Sequence, residues 1–388
     1  GPQFVAADAT NFGVFLDSSP DRWGRTLIQK RELLLSKKEK RNSRRLGELD
    51  YLLGVYDGHR MGGLRFKFPG GSFLSEETQH AAPSWARLRE LEAISLKFEE
   101  KNSENNPHYS EWLNVLFAPG SSLGGVRPKA SVVDSKNNLW IAKFSSQNDE
   151  WDVGAWEFIL HELAKKCGLQ VPETQVKKLG GKHHTLITRR FDRTQNQKRI
   201  HFASAMTLLE RKDGDDASTG ASYLELVNAL IQQGAKPNQD LEELWSRIVF
   251  FVCVSNTDDH LRNHGFLLTP EGWVLSPAYD MNPNPFGNGL SLNISGTNSA
   301  LSLDLALDVA ENFRIKTEKA KSLIKKIKKG VAQWPILARG LNATNIGAAL
   351  AAVAPFAVDL SSGVESSPVV KSPEKMRALV GALSAASA

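Results

Sequence analysis

The segment Leu139-Trp140-Ile141-Ala142-Lys143-Phe144 places one lysine inside an apolar β run. An unpaired ammonium held away from water is so costly that any fold of this chain must bring a carboxylate to residue 143. The amphipathic helix that follows, Val153 to Cys167, offers Glu157 within Trp156-Glu157-Phe158. Upstream, Pro119-Gly120-Ser121-Ser122-Leu123-Gly124-Gly125-Val126-Arg127-Pro128-Lys129 is a Gly/Ser-rich turn leading into a strand. Its glycines let backbone N–H groups approach phosphate oxygens, and Arg127 and Lys129 add positive charge. The turn is neither a Walker A loop nor G-x-G-x-x-G. A strand lysine facing a helix glutamate after a glycine-rich loop is an arrangement that positions nucleotide phosphates.

Patterning around this segment predicts an α+β fold of two lobes. Strands are expected at Ala130 to Asp134, Leu139 to Ser145, Thr174 to Lys178 and Thr185 to Arg189. Beyond them the chain reads as helical at Ala205 to Glu210, Tyr223 to Gln232, Leu241 to Ser255 and Ser322 to Ala332. One hairpin interrupts the helices, Phe266 to Thr269 and Trp273 to Ser276, turned by Pro270-Glu271-Gly272. Before residue 120 the pattern gives a loop at Asp17-Ser18-Ser19-Pro20, a helix after Pro20, and a short helix, turn and strand over Leu49 to Phe68. A further amphipathic helical stretch runs from Ser84 to Phe117. The expected divisions are an N-terminal region 1–115, a strand-rich nucleotide-binding lobe 116–190, a helical catalytic lobe 191–360, and a Ser/Pro linker with a short terminal helix 361–388. The site belongs in the cleft between the lobes.

The densest chemistry lies in Asn256-Thr257-Asp258-Asp259-His260-Leu261-Arg262-Asn263-His264 and, after the hairpin, Ser276-Pro277-Ala278-Tyr279-Asp280. A hairpin returns the chain to its starting point, so Asp280 is expected beside Asn263. Asp-x-x-x-x-Asn, a short hairpin and a second Asp is the order in which kinases place a catalytic carboxylate and two Mg²⁺ ligands. Other readings of these residues remain open. Asp258 could cap a helix, Asp259 and His260 could form a local pair, or Asp258, His260, His264 and Asp280 could ligate the metal of a hydrolase. Leu186 to Arg193 reads as a strand running out into the helical lobe, where an adenine-binding hinge would lie.

Composition narrows the class. With 41% hydrophobic and 23% charged residues and a mean hydropathy of −0.31, the chain is neither disordered nor collagenous. Ile346 to Val358 is too short to span a bilayer and is broken by Pro355, so no membrane association is expected. Cys167 and Cys253 sit in apolar surroundings, which fits a reducing, cytoplasmic compartment. A net charge of +5 is too mild to argue for direct nucleic-acid binding. Gly1-Pro2-Gln3 lacks an initiator Met, so residue 1 reads as a tag-cleavage scar or an interior point of a longer chain.

The runs Gly124-Gly125-Val126-Arg127-Pro128-Lys129, Arg190-Phe191-Asp192-Arg193, Asn256 to His264 and Ser276 to Asp280 resemble the HipA family of serine/threonine kinase toxins from bacterial type II toxin–antitoxin modules. Asp17-Ser18-Ser19-Pro20-Asp21-Arg22-Trp23-Gly24-Arg25 is similar to that family's N-terminal region. The resemblance runs from about residue 12 to at least 340 and implies a two-lobed, kinase-like fold. It implies ATP and Mg²⁺ as cofactors, with Asp258 as the catalytic residue and Asn263 and Asp280 as metal ligands. Lys143 would contact phosphates, with Glu157, Gly124, Gly125, Arg127 and Lys129 around the nucleotide, and backbone near Arg189 to Phe191 would hold adenine. Ser122, or the adjacent Ser121, matches the position where the family autophosphorylates. Implied partners are a helix-turn-helix, HipB-like antitoxin, with DNA contacted only through it, and an aminoacyl-tRNA synthetase as protein substrate. The family's N-terminal region normally begins with a small β-rich subdomain; the resemblance leads us to expect it missing here, through truncation, through proteolysis, or because a separate chain supplies it as a partner. Two other functions fit the residues: a small-molecule or lipid kinase on the same scaffold, and a non-enzymatic co-repressor that uses the basic segments Lys37 to Arg45 and Lys316 to Lys329.

Overall fold

The computed structural model describes residues 11–74, 82–120, 125–284 and 286–340, with two short pieces at 365–367 and 370–371. Ser121, Ser122 and Gly124 lie outside the described residues, as does most of the tail after Gly340.

Alternating side chains build the first layer. Strands β1 (Lys129–Val133), β2 (Leu139–Lys143), β3 (Thr174–Lys177) and β4 (Thr185–Arg189) form an antiparallel sheet in the order β1-β2-β4-β3. One face carries Ala130, Val132, Trp140, Ala142 and Ile187, all buried. It packs on helices α2 (Arg22–Lys38), α4 (Leu88–Glu99) and α5 (Tyr109–Gly120) through Trp23, Leu27, Leu91, Phe98, Leu113 and Leu116. Helices from before residue 120 and strands from after it thus share one core. The period of two turns Lys129, Ile141, Lys143 and Thr188 to the opposite face, where Lys129 pairs with Lys143 and Ile141 with Thr188.

Helix α6 (Val153–Cys167) joins that sheet to a second, larger core. Asp152 caps its start, accepting from Ala155 N at 3.1 Å and from His184 N at 3.0 Å, and Gly168 ends it at φ 91°. Ile159, Leu160 and Leu163 enter the core shared with α8 (Tyr223–Gln233), α9 (Pro237–Val254) and α11 (Thr317–Val331). Helix α9 begins four residues before its expected start because Pro237 occupies its first turn. Its second half, Ile248 to Val254, is apolar all round and lies in the core of the helical lobe. Helix α11 buries Ala320, Ile327 and Val331 and turns its lysines to solvent. No helix among the described residues is long and apolar enough to cross a membrane.

Some local expectations are corrected. Asp17 and Ser18 end a short helix, α1 (Gly13–Ser18), where a loop was expected, and Asp17 is anchored by Ser204 N at 2.8 Å. The strand expected by Phe68 reduces to a single bridge between Lys67 and Phe73. The hairpin is β6 (Gly265–Thr269) and β7 (Gly272–Leu275), and β5 (Phe202–Ser204) adds a third strand too short to show periodicity.

A buried ionic knot fastens the end of β4 to residues 57–62. Arg190 forks onto Asp192 at 2.7 and 2.6 Å and donates to His59 O at 2.8 Å. Arg193 reaches the same carboxylate at 2.6 Å, and Gly62 N donates to it at 2.8 Å. Both Arg190 and Asp192 side chains are 1% exposed. Removing the shared carboxylate strands two buried guanidinium groups, so Asp192→Ala is expected to cost about 3–5 kcal/mol, read from urea unfolding.

Candidate active site

Because Lys129 and Lys143 stand opposite each other on β1 and β2, both ammonium groups enter the same interlobe cleft, about 250 Å³ in volume. Lys143 Nζ lies 2.5 Å from Glu157 Oε1 and 2.8 Å from Asp280 Oδ1. Glu157 comes from the second turn of α6, and its side chain is 4% exposed. Asp280 follows the hairpin in a left-handed conformation, φ 56°, which aspartate tolerates better than most residues. The Lys143 ammonium holds the Asp280 carboxyl well below the usual range. Burial lifts Glu157, opposed by Lys143, while the two carboxylates outweigh burial and raise Lys143. Lys129 is pushed down to about 8, first by burial and then by the neighbouring Lys143 charge.

The glycine-rich turn is braced by α2. Asp21 accepts from Gly125 N at 3.2 Å, Trp23 N donates to Gly125 O at 2.9 Å, and Trp23 Nε1 donates to Lys129 O at 2.9 Å. Gly125 lines the cleft at φ 73°. Arg127 turns elsewhere, into a bidentate pair with Asp149 in which one bond measures 2.6 Å. At the end of β4, Arg189 and Arg190 line the cleft, but their amides are already bonded to Glu173 O and Leu139 O. Phe191 is the first residue past the ladder, and its ring lies 5.4 Å from that of Tyr279.

The remaining predicted residues come from the loop after α9. Asp258 has a 76% exposed side chain with His260 Nε2 3.8 Å away. Partial burial raises its carboxyl, with His260 opposing and Asp280 adding to the effect. Asn263 ends a 3₁₀ turn, and its Nδ2 donates to Asp258 O at 2.7 Å. Asn263 and Asp280 line the cleft together, and Tyr279 OH donates to Arg262 O at 2.7 Å, closing the loop onto the segment before Asp280. An amide oxygen and an ionised carboxylate form an all-oxygen set that suits Mg²⁺. The alternative hydrolase tetrad is split: His264 faces the core at 1% exposure, and burial pushes it down to about 3. Among the described residues no group of three or more His, Cys, Asp or Glu could hold a metal.

Several cleft residues were not singled out from sequence. Asp17, Asp21, His161 and Arg262 all line it. His161 follows Glu157 by one helical turn, a spacing that marks it in retrospect. Neither of its buried ring nitrogens has a hydrogen-bond partner among the described residues, although Nε2 lies 4.0 Å from Glu157 Oε1.

Comparison with known proteins fits this geometry. Residues 121–334, more than half of the chain, match the family of HipA-like C-terminal domains. The chain belongs to this family. A Haemophilus influenzae protein named "Putative kinase" is 26% identical over 178 residues, covering 42% of this chain and 52% of that protein. The chain thus spans about half the length of that curated relative. The solved structure of HipA from Shewanella oneidensis MR-1, in complex with HipB and operator DNA, superposes with a TM-score of 0.65 at 17% identity. The match covers 90% of this chain and 84% of that one. The two-lobed, kinase-like α+β fold expected from the sequence is the fold found.

A second match covers residues 320–382, similar to N-(5'-phosphoribosyl)anthranilate isomerase. The Bordetella petrii isomerase is 58% identical over 48 residues, 12% of this chain and 22% of that enzyme. The described core ends at Ala338, and the strands β8 (Glu365–Ser367) and β9 (Val370–Lys371) pair with each other.

Proposed function

We propose that this chain is an ATP- and Mg²⁺-dependent serine/threonine kinase that acts as the toxin of a toxin–antitoxin pair. The observation that carries the reading is Lys143 clamped between Glu157 and Asp280 on the floor of the cleft, beside the loop bearing Asp258 and Asn263. Lys143 and Lys129 would hold the nucleotide phosphates, and the segment Arg189 to Phe191 would seat the base. Asn263 and Asp280 would hold Mg²⁺, which when bound neutralises charge on the transferring phosphoryl group. Asp258, exposed and with His260 3.8 Å away, would face the attacking hydroxyl and take its proton. Family membership and the HipB complex of the Shewanella protein support a DNA-binding antitoxin as partner. An aminoacyl-tRNA synthetase in the cytoplasm is the proposed substrate, and Ser122 or Ser121 the proposed self-acceptor.

Asp258→Ala is expected to lower phosphoryl transfer from radiolabelled ATP about 10²–10⁴-fold while retaining ATP binding, whereas Lys143→Ala weakens both. A full-rate Asp258→Ala protein would sink the assignment. Incubation with Mg·ATP followed by peptide mass spectrometry should find phosphate on Ser122 or Ser121.

Lys129 supplies an independent check. In the free protein its ammonium loses its proton as pH rises through about 8. Bound phosphate favours the charged form, so ATP binding near that pH should take up a proton. Calorimetry in buffers of different ionisation enthalpy should show this uptake in the wild type and its loss in Lys129→Met. Affinity should fall as pH rises above about 8.

A further inference from the structure

Neighbouring residues of the Asp258 loop face opposite ways. Asp258 has a 76% exposed side chain, whereas Asp259 is 1% exposed. The Asp259 carboxylate accepts from Ser291 N at 2.6 Å and from the Tyr223 hydroxyl. Its backbone carbonyl lies 3.1 Å from His264 Nε2. Ser291 also donates through Oγ to Thr257 O at 2.8 Å, and its own carbonyl accepts from Ala217 N at 2.7 Å. Tyr223 opens α8, and its N–H donates to Asn293 O at 3.0 Å. One buried carboxylate therefore ties the loop to the start of a core helix and to the segment 291–293.

Among the described residues no cation is bonded to it. The groups facing it are Tyr223 from α8, Ser291 from the following segment, His264 from the base of β6, and Asp258 itself. Arg247 of α9 acts on Tyr223 and His264, and it bonds to Glu243 and Ser276 O instead of Asp259. Burial lifts the Asp259 carboxyl to about 7. Holding a lone carboxylate at 1% exposure is expensive where a neutral asparagine could meet the same donors. What the charge adds is strength, because hydrogen bonds to an ionised acceptor are shorter and roughly twice as strong as neutral ones. The placement of Asp258 needs that strength, since its nearest ionic neighbour, His260, is 3.8 Å away.

We propose that Asp259 is a positioning residue: by accepting from Tyr223 and Ser291 it fixes the loop that presents Asp258, and so sets the rate of phosphoryl transfer without touching the nucleotide. This rests on the reading of Asp258 as the group that faces the acceptor hydroxyl.

The test uses the full chain with Asp259→Asn, Tyr223→Phe and the double variant. Each single change is expected to slow self-phosphorylation from Mg·ATP roughly tenfold, with ATP affinity held within about twofold and the double variant no slower than the worse single. The wild-type rate should fall as pH drops through about 7, and Asp259→Asn should lose that limb because asparagine does not titrate. Hydrogen exchange at the amides of residues 257–263 should quicken in each variant, with or without nucleotide. Unchanged exchange and rate in Asp259→Asn overturn the proposal, as does ATP affinity falling in step with rate. If the wild type transfers no phosphoryl group, the kinase reading fails by itself, and exchange alone decides whether Asp259 fixes the loop. Should Asp259→Asn fail to fold, Tyr223→Phe carries the same readouts.

Discussion

The Lys143 ammonium, held between Glu157 and Asp280, is the contact on which the two lobes depend. Its three side chains come from the sheet, from α6 and from the segment after the hairpin, with 137 residues separating Lys143 from Asp280. Removing a charge from water costs several kcal/mol even after relaxation, and a single carboxylate in a poor geometry would not recover it. Two carboxylates at 2.5 and 2.8 Å do. Because each lies on a different element, the pairing fixes more than a charge: it sets the depth of α6 against β2 and holds Asp280 at a positive φ. The loop before the hairpin starts the same way, with Ser255 ending α9 at φ 53°. Both ends of the unit that carries Asp258, Asn263 and Asp280 thus rest on conformations that only surrounding contacts sustain.

The N-terminal helices belong to this arrangement rather than decorating it. Trp23 sits in the core under the sheet while its indole N–H holds Lys129 O, so the packing that buries the ring also positions the start of β1. Asp21, two residues earlier, takes the Gly125 amide. The Gly125 end of the glycine-rich turn is held by residues about a hundred positions away in sequence, and the Arg190–Asp192–Arg193 knot does the same for the far end of β4. The cleft is bounded on several sides by long-range contacts.

This explains which features could be read from the chain. The strands, α6 and the basic face of α11 announce themselves through period and caps, and Lys143 demanded an acid that Glu157 was spaced to supply. Arg127 and Lys129 look interchangeable in Val126-Arg127-Pro128-Lys129, and only strand register separates them. Lys129 lies opposite Lys143 and shares its face, while Arg127 precedes the strand and turns to Asp149. Asp259 is hidden by the same logic, since beside Asp258 nothing in the sequence says which carboxylate is inside. Short pieces such as α1 and β5 carry no period at all and exist because tertiary partners, Asp17 with Ser204 among them, hold them in place.

The signs of the perturbed groups show where the fold gives up stability. Lys129 releases its proton more readily folded than unfolded, so between about 8 and its ordinary value the unfolded chain binds more protons and stability rises with pH. At neutral pH its retained charge is a cost. Asp259, raised to about 7, binds its proton more tightly when folded, so stability falls as pH rises from the ordinary carboxylate range toward 7. It too costs at neutrality. Asp280 runs the other way: its depressed carboxyl contributes stability above its unfolded pKa that is lost as acid protonates it. A fold selected for stability alone would keep the Asp280 contact and replace the other two with neutral residues. A charged Lys129 and a buried Asp259 carboxylate are the costs that the proposed phosphate contact and the proposed loop positioning would offset. Local penalties of this kind gather where a site is built.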